Sequence, residues 1–179
     1  MKTPFPAAAL RACARHGVVP TRFFFVVNIA RQSTALFCRR DGTYALAKTF
    51  RCSTSKFGIG ETAGSNRTPR GLHRVAQKIG GGWPVGVAFK SRQVIGFTWQ
   101  GLPQARITNR IFWLEGLEPE FNRGGEVDSH ARYIYIHGTG DETTLGRPDS
   151  HGCVHLAGGD LLPLYDKLPE GTLVWIAER

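Results

Sequence analysis

Hydrophobic residues in the first third of the chain fall into short runs that predict β-strands. Residues 23–29 are rich in Phe and Val, and residues 35–40 form a second apolar run. Aromatic and β-branched residues at this density are typical of strands. Asp41-Gly42 is a strong hairpin-turn signal, and residues 44–51 supply the return strand. The pattern therefore predicts an antiparallel meander.

The remaining two thirds of the chain also contain strand-like segments, and the alternation of side chains between two faces is clearest just before His137. Between residues 132 and 137, Tyr133, Tyr135 and His137 share one face of a predicted strand, and the intervening isoleucines share the other. His137 is therefore expected at a strand end, on the more polar side. The other predicted extended segments are 71–79, 85–97, 107–114 and 172–177.

Two segments instead have helical character. Residues 6–16 begin with a proline, contain several alanines and stop at Gly17. Residues 158–168 have helical spacing, with Asp160 near the positive end of the helix dipole. Many short strands with two modest helices predict a mainly β fold, a compact sandwich or barrel. We expect one domain over residues 1–179, of which residues 1–20 form an N-terminal helical extension.

Long polar segments separate the predicted strands. Residues 53–70 are polar and poorly periodic, and residues 115–129 form a glycine-rich, acidic excursion. Long insertions of this kind often line binding clefts, and a solvated loop is the equally simple alternative.

The candidate chemistry is concentrated in two short motifs. His137-Gly138-Thr139 follows a predicted strand, and Ser150-His151-Gly152-Cys153 places a thiol in a glycine turn. A thiol attacks as thiolate, and an imidazole within hydrogen-bond reach can take its proton. We therefore predict Cys153 as nucleophile and His137 as base. Gly152 permits a backbone conformation in which amides near Cys153 could point at a developing oxyanion.

Together these motifs resemble the signature of the L,D-transpeptidase (YkuD-like) catalytic domain. Thr68-Pro69-Arg70-Gly71 resembles the Thr-Pro-x-Gly segment of the family, and residues 171–176 resemble its closing strand. The resemblance covers roughly residues 22–177. It implies a compact β domain with the cysteine at the rim of a cleft and with one helix after that cysteine.

The resemblance also implies roles for residues around the pair. His137 would be oriented through its other ring nitrogen, and His151 would shape the site. One position departs from the family, because His155 stands where Arg or Asn is usual. Arg147 could bind a carboxylate through its guanidinium. The residues that we expect to contact substrate are Thr68, Arg70, His73, Arg147, Ser150 and His155.

By resemblance, the substrate is a peptidoglycan stem tetrapeptide, cleaved between its diamino acid and D-alanine. The resulting thioester would be resolved by water, as in an L,D-carboxypeptidase, or by an amine of a second stem, as in a transpeptidase. Neither route needs a cofactor. The N-terminal segment lacks the uninterrupted apolar core of a signal peptide, which favours a cytoplasmic carboxypeptidase of murein recycling; a truncated N-terminus would favour the periplasm.

Two other readings remain open. If residues 151–155 are extended, His151, Cys153 and His155 share a face and could bind zinc together with His137, although the usual zinc spacings differ. A non-catalytic module that binds wall peptides is the second alternative.

Composition narrows the choice of partners. The chain has 179 residues, is 41% hydrophobic and 21% charged, and carries a net charge of +9. Its Arg and Lys residues are scattered and match no nucleic-acid motif, so an anionic peptide fits the charge better. No apolar run is long enough for a membrane span. Cys38 and Cys52 fall in predicted strands and are most simply small buried hydrophobes, and a pairing between them stays open.

Overall fold

A closed eight-stranded barrel dominates the computed structural model, which describes residues 4–179. The first three residues of the predicted N-terminal extension lie outside the described part. Two α-helices accompany ten strands. The elements are α1 (Ala7–Arg15), β1 (Phe23–Asn28), β2 (Ser33–Arg40), β3 (Thr43–Ser53), β4 (Gly71–Ile79), β5 (Val87–Lys90), β6 (Gln93–Phe97), β7 (Ile107–Gly116), β8 (Tyr135–Gly138), β9 (Val154–Leu156), α2 (Gly158–Lys167) and β10 (Leu173–Ala177).

The barrel follows the order β4-β10-β1-β2-β3-β9-β8-β7 and closes where β7 pairs with β4. The hairpin of β5 and β6 continues the sheet beyond β7. The long β7 makes both arrangements possible, because its first residues pair with β5 and its later residues with β4. The predicted mainly β fold is confirmed.

The predicted meander is present as β1, β2 and β3, which are consecutive antiparallel neighbours. Asp41 and Gly42 form the turn with φ angles of 48° and 78°. Positive φ at both central residues gives the turn the twist that a two-residue hairpin needs.

The main hydrophobic core fills the barrel and receives a buried side chain from each of its eight strands. Helix α2 packs on the same core through Leu161, Leu164 and Tyr165. Helix α1 packs elsewhere, on a separate cluster that includes Phe24 and Phe37 on the outer side of β1 and β2. Full burial of such a side chain contributes roughly 1.5–3 kcal/mol.

Three segments differ from the sequence prediction. Residues 85–97 form a hairpin rather than one extended segment, because Ser91 and Arg92 turn the chain with φ angles of 50° and 68°. Strand β8 begins only at Tyr135, since Tyr133 has a left-handed φ of 56°. Strand β9 was not predicted, and it lies beside β8 in parallel.

All four cysteines are free, so the possible pairing of Cys38 with Cys52 is absent. Cys52 is fully buried, whereas Cys38 is only half-buried. Among residues 4–179 no helix combines the length and apolarity that a membrane crossing requires.

Candidate active site

Ser150, a residue of the turn that carries Cys153, fixes the shape of this turn by hydrogen bonds. Ser150 Oγ donates to the Cys153 carbonyl over 2.6 Å and accepts from the Gly152 N–H over 3.2 Å. Gly152 has a φ of 121°, in the region that favours glycine. The Gly152 amide is therefore engaged within the turn, which corrects the expectation that it faces an oxyanion. The Cys153 N–H makes no hydrogen bond with the described residues and remains a candidate donor.

Thr68 fixes the same turn to the polar loop that precedes β4. Its buried Oγ1 donates to the Gly152 carbonyl and accepts from the Ser55 N–H, both over 3.0 Å. Thr68 was expected to contact substrate, but its side chain has no exposed surface. Its role in the structure is to hold the turn that carries Cys153 in position.

His137 lies near the end of strand β8, and one nitrogen of its imidazole ring already makes a hydrogen bond. Its Nδ1 lies 2.8 Å from the Gly138 carbonyl oxygen, so Nδ1 carries the proton and Nε2 is left as a free acceptor. The ring is buried, and burial lowers the pKa of His137 to about 4. The imidazole is therefore neutral near pH 7, with Nε2 as the nitrogen that can accept a proton.

The thiol of Cys153 is protonated at neutral pH. It is partly open to the cleft, yet loss of solvent raises its pKa to about 11, against smaller opposing contributions from the Tyr135 backbone and Arg132. Its Sγ lies 3.5 Å from the Tyr133 carbonyl oxygen, and the described residues show no hydrogen bond from Sγ to His137. Because the resting group is a thiol, its proton has to pass to a base before or during attack.

A cleft of about 340 Å³ brings the predicted chemical groups together. It contains the thiol, three histidines and four further charged side chains. Its lining residues are Lys56, Gln104, Arg106, Ile107, His137, Thr139, Asp141, Asp149, His151, Cys153 and His155.

His155 lies against His137, with 4.6 Å between the ring centroids. Burial is the main cause that lowers its pKa, to about 2, and the neighbouring His137 and His151 add to the shift. Its Nδ1 is buried and has no hydrogen-bond partner among the described residues. A buried polar atom of this kind normally finds a partner, so it is suited to meet a water or a substrate group.

Lys56 and Arg106 were missed by the sequence interpretation, because isolated cations in polar loops carry no motif. Both lie near His151 and contribute, after burial, to lowering the pKa of that histidine. The lining of the cleft carries these two cations and two carboxylates, Asp141 and Asp149.

Of the six expected substrate contacts only His155 lines this cleft, since Thr68 and Ser150 are buried in the contacts of the cysteine turn and three others lie elsewhere. His73 is fully buried, with Nδ1 3.1 Å from the Gly71 carbonyl oxygen and Nε2 2.9 Å from Ser129 Oγ, so it anchors the excursion before β8. Arg70 pairs with Glu61 over 2.8 Å. Arg147 is exposed and does not line the cleft. The sequence motifs indicated the neighbourhood of the site. The direction in which each of these side chains points depends on contacts that form only in the folded chain.

A second pocket of about 310 Å³ lies on the other side of the cysteine turn. Arg132, Tyr133 and Ile134 line it together with Asn66 and Asp128. His151 lines both this pocket and the cleft, so it stands between them. The cleft that holds the thiol is therefore separated from a second open space by His151.

The zinc alternative finds no support in the arrangement of ligands. Within the described part of the chain, no group of three or more His, Cys, Asp or Glu side chains is placed to hold a metal ion. The histidines and the thiol share a cleft without converging on one point.

Comparison with known proteins identifies the family of the chain. The family model described as L,D-transpeptidase catalytic domain (YkuD) matches residues 22–176, so the chain belongs to that family. No curated protein matches the chain.

Solved structures share the fold at low sequence identity. Bd1075 from Bdellovibrio bacteriovorus has a TM-score of 0.60 at 15% identity, over 89% of this chain and 49% of its own. An L,D-transpeptidase from Mycobacterium smegmatis scores 0.51 at 16%, over 87% and 58%. The L,D-transpeptidase LdtMt1, solved in complex with imipenem, scores 0.51 at 17%, over 87% and 59%. The chain thus spans about half to three fifths of the length of these proteins.

Proposed function

We propose that this catalytic domain cleaves peptidoglycan stem tetrapeptides between the diamino acid and D-alanine, through a thioester on Cys153. The observation that carries the proposal is the geometry of the cleft. His137, with Nδ1 held by the Gly138 carbonyl and Nε2 free, lines the same cleft as the partly open thiol of Cys153. The alternative of a non-catalytic binding module does not require such a pair.

In the first half-reaction, Cys153 Sγ attacks the carbonyl carbon of the diamino acid while its proton passes to His137 Nε2. The Cys153 N–H is available to donate to the oxyanion of the tetrahedral intermediate. As the intermediate collapses, the carbon–nitrogen bond breaks, and His137 returns the proton to the departing amine. D-alanine leaves, and the tripeptide remains as a thioester.

The cations of the cleft suit the carboxylates of this substrate. D-alanine ends in a carboxylate, and Lys56 and Arg106 are the two cations that line the cleft beside the thiol and histidines. Because Asp141 and Asp149 line the same cleft, the cations would act by direct charge-assisted hydrogen bonds that orient the carboxylate, rather than by long-range steering.

For the second half-reaction we propose water as the main acceptor, as in an L,D-carboxypeptidase. The position of His155 supports this choice, since this residue lines the cleft with its ring 4.6 Å from that of His137, where the family usually has Arg or Asn. His137 would take a proton from the attacking water and return it to Cys153 Sγ as the carbon–sulfur bond breaks.

Transpeptidation is the second candidate, and it rests on a different feature. The pocket of about 310 Å³ beyond His151 offers room for a second stem peptide on the far side of the thiol. A transpeptidase must hold such an acceptor in line with the acyl carbonyl, whereas hydrolysis needs only an ordered water.

Two measurements test the proposal. Intact-protein mass spectrometry after exposure to imipenem should show a covalent adduct on the wild type and on Cys38→Ala, and none on Cys153→Ala. Incubation with a tetrapeptide, with and without a second stem as acceptor, should release D-alanine and tripeptide in both cases. Crosslinked dimers as the main product would select the transpeptidase instead, and absence of any turnover would reject both.

A further inference from the structure

The backbone of Tyr133, directly beside the thiol, adopts a conformation that a bulky residue normally avoids. Its φ of 56° lies in the left-handed region, where the Cβ of an L-residue crowds the following carbonyl oxygen. The carbonyl oxygen of this same residue accepts the hydrogen bond of Cys153 Sγ over 3.5 Å. Strained residues persist only where their surroundings hold them. The contacts that restrain Tyr133 therefore also bear on the direction of the thiol.

A single arginine at the tip of the hairpin of β5 and β6 contacts the Tyr133 side chain. The Arg92 guanidinium lies 5.0 Å from the centroid of the Tyr133 ring and 4.6 Å from that of the Trp113 ring. Its Nη1 also donates to Tyr135 Oη over 3.1 Å. A planar guanidinium stacks well on aromatic faces. Among residues 4–179 no carboxylate lies within ion-pair distance of Arg92, so the aromatic rings are its partners.

Trp113 gives these contacts a rigid base. Its ring is stacked on the His130 ring, with centroids 4.0 Å apart and 3° between the planes, and its Nε1 donates to the His130 carbonyl over 3.0 Å. The Tyr133 N–H donates to the same carbonyl oxygen over 3.0 Å. Because 52% of the Tyr133 surface is exposed, the hydrophobic core does little to hold its side chain. The contacts with Arg92 and Trp113 are what restrain this ring.

The second tyrosine connects the same arginine to the floor of the site. Tyr135 is buried and belongs to the apolar cluster on which Cys153 packs. Its ring meets the His137 ring edge-on, with centroids 6.3 Å apart. Arg92 itself lines neither the cleft nor the second pocket, so it reaches the chemistry only through the two tyrosines.

We propose that Arg92 is a positioning residue for the nucleophile; this inference rests on the proposed function. By holding Tyr133 in its left-handed conformation, Arg92 keeps the Tyr133 carbonyl directed at Cys153 Sγ and fixes the thiol in one orientation. Without the guanidinium the Tyr133 backbone relaxes, its carbonyl turns away, and Sγ samples several rotamers. Attack requires a reacting atom that is held in place, and a displacement of about 1 Å can cost on the order of 100-fold in rate.

The experiment measures acylation of Cys153 by imipenem with intact-protein mass spectrometry. Arg92→Ala should lower the rate constant at saturating imipenem roughly tenfold, because the thiol is no longer held in one orientation. The half-saturating concentration should stay within about twofold of the wild type, because Arg92 lines neither cavity. Arg11→Ala, which removes an exposed arginine of α1, is the matched control and should react like the wild type. Thermal unfolding shows whether each variant is folded.

Substitutions of Tyr133 supply a readout that a merely structural role of Arg92 would not move. Glycine adopts the left-handed conformation readily, whereas alanine keeps the Cβ that opposes it and has no ring for Arg92 to hold. Tyr133→Gly should therefore be acylated faster than Tyr133→Ala. Adding Arg92→Ala to Tyr133→Gly should change the rate by less than about twofold, since the contact has already been lost. These variants decide the question even if Arg92→Ala alone does not fold.

Three results would overturn the proposal. They are unchanged acylation in Arg92→Ala, equal rates for the alanine and glycine variants of Tyr133, and equal slowing by Arg92→Ala whether residue 133 is tyrosine or glycine. If the wild type forms no imipenem adduct, the proposed function fails, and alkylation of Cys153 by iodoacetamide decides instead. A carbonyl oxygen that accepts from the thiol disfavours the thiolate, so Arg92→Ala should speed alkylation with tyrosine at position 133 and not with glycine. The same change in both backgrounds, or none in either, rejects the positioning role.

Discussion

Replacement of Thr68 by valine tests how the cysteine turn is held. Valine keeps the shape of threonine and removes only the hydroxyl, which serves two buried backbone groups: the Gly152 carbonyl and the Ser55 N–H. Each group left buried without a partner costs about 1–3 kcal/mol. We therefore expect Thr68→Val to lower the free energy of unfolding by about 2–6 kcal/mol. At this chain length that corresponds to a fall of roughly 4–24 °C in Tm.

The same variant should slow acylation, because the Gly152 carbonyl would lose the contact that sets the direction of Cys153. Small displacements of a reacting group can cost on the order of 100-fold in rate. Urea unfolding and the rate of imipenem adduct formation measure the two effects separately. Thr68→Ser, which keeps the hydroxyl, is the matched control and should remain close to the wild type in rate. A valine variant with unchanged stability and unchanged acylation would refute the idea that Thr68 positions the turn.

Three further predictions follow from the site. Cys153→Ala and His137→Ala should each reduce tetrapeptide turnover to background while circular dichroism stays native, whereas Cys52→Ala should lower only stability; retained turnover in either site variant would contradict the assigned roles. Iodoacetamide alkylation of Cys153 should rise about tenfold per pH unit from pH 7 toward the thiol pKa of about 11; a plateau near neutral pH would instead reveal a resting thiolate–imidazolium pair. Burial lowers the pKa of His73 and His137 from 6.5 to about 4, so between these pH values only the unfolded chain takes up their protons. The free energy of unfolding should therefore fall by roughly 3 kcal/mol per histidine as the pH drops from 6.5 to 4. Urea unfolding across this range measures the loss, and in His137→Gln the pH dependence of the unfolding free energy should correspond to about one proton fewer.

Local signals in the sequence were sufficient for much of the fold. The turn at Asp41-Gly42 and the flanking apolar runs predicted the meander, because a two-residue hairpin is specified by its own turn residues. The turn at Ser91-Arg92 contains neither glycine nor asparagine, so the same reasoning overlooked the hairpin of β5 and β6. Barrel closure through β4 and β7 depends on pairing between distant segments and had no local signal.

For the site, sequence reasoning located the motifs but not every side-chain direction. His137, His151, Cys153 and His155 share the cleft as the motifs suggested. His73 is buried because its two ring nitrogens are bound from both sides, a contact that only the folded chain creates.

The oxyanion donors show the same limit. Whether the Gly152 amide is free depends on the rotamer of Ser150, which the order of residues does not reveal. The Cys153 N–H therefore stands as the one candidate donor of the two that the sequence suggested.

The most direct test of the account is to trap and release the thioester on Cys153. Wild-type protein mixed with a stem tetrapeptide and quenched in acid within milliseconds should gain the mass of the tripeptide minus water on the peptide that contains Cys153. That mass should vanish with time as free tripeptide and D-alanine accumulate. Product formation without any adduct on Cys153, or with undiminished turnover in Cys153→Ala, would contradict the central claim.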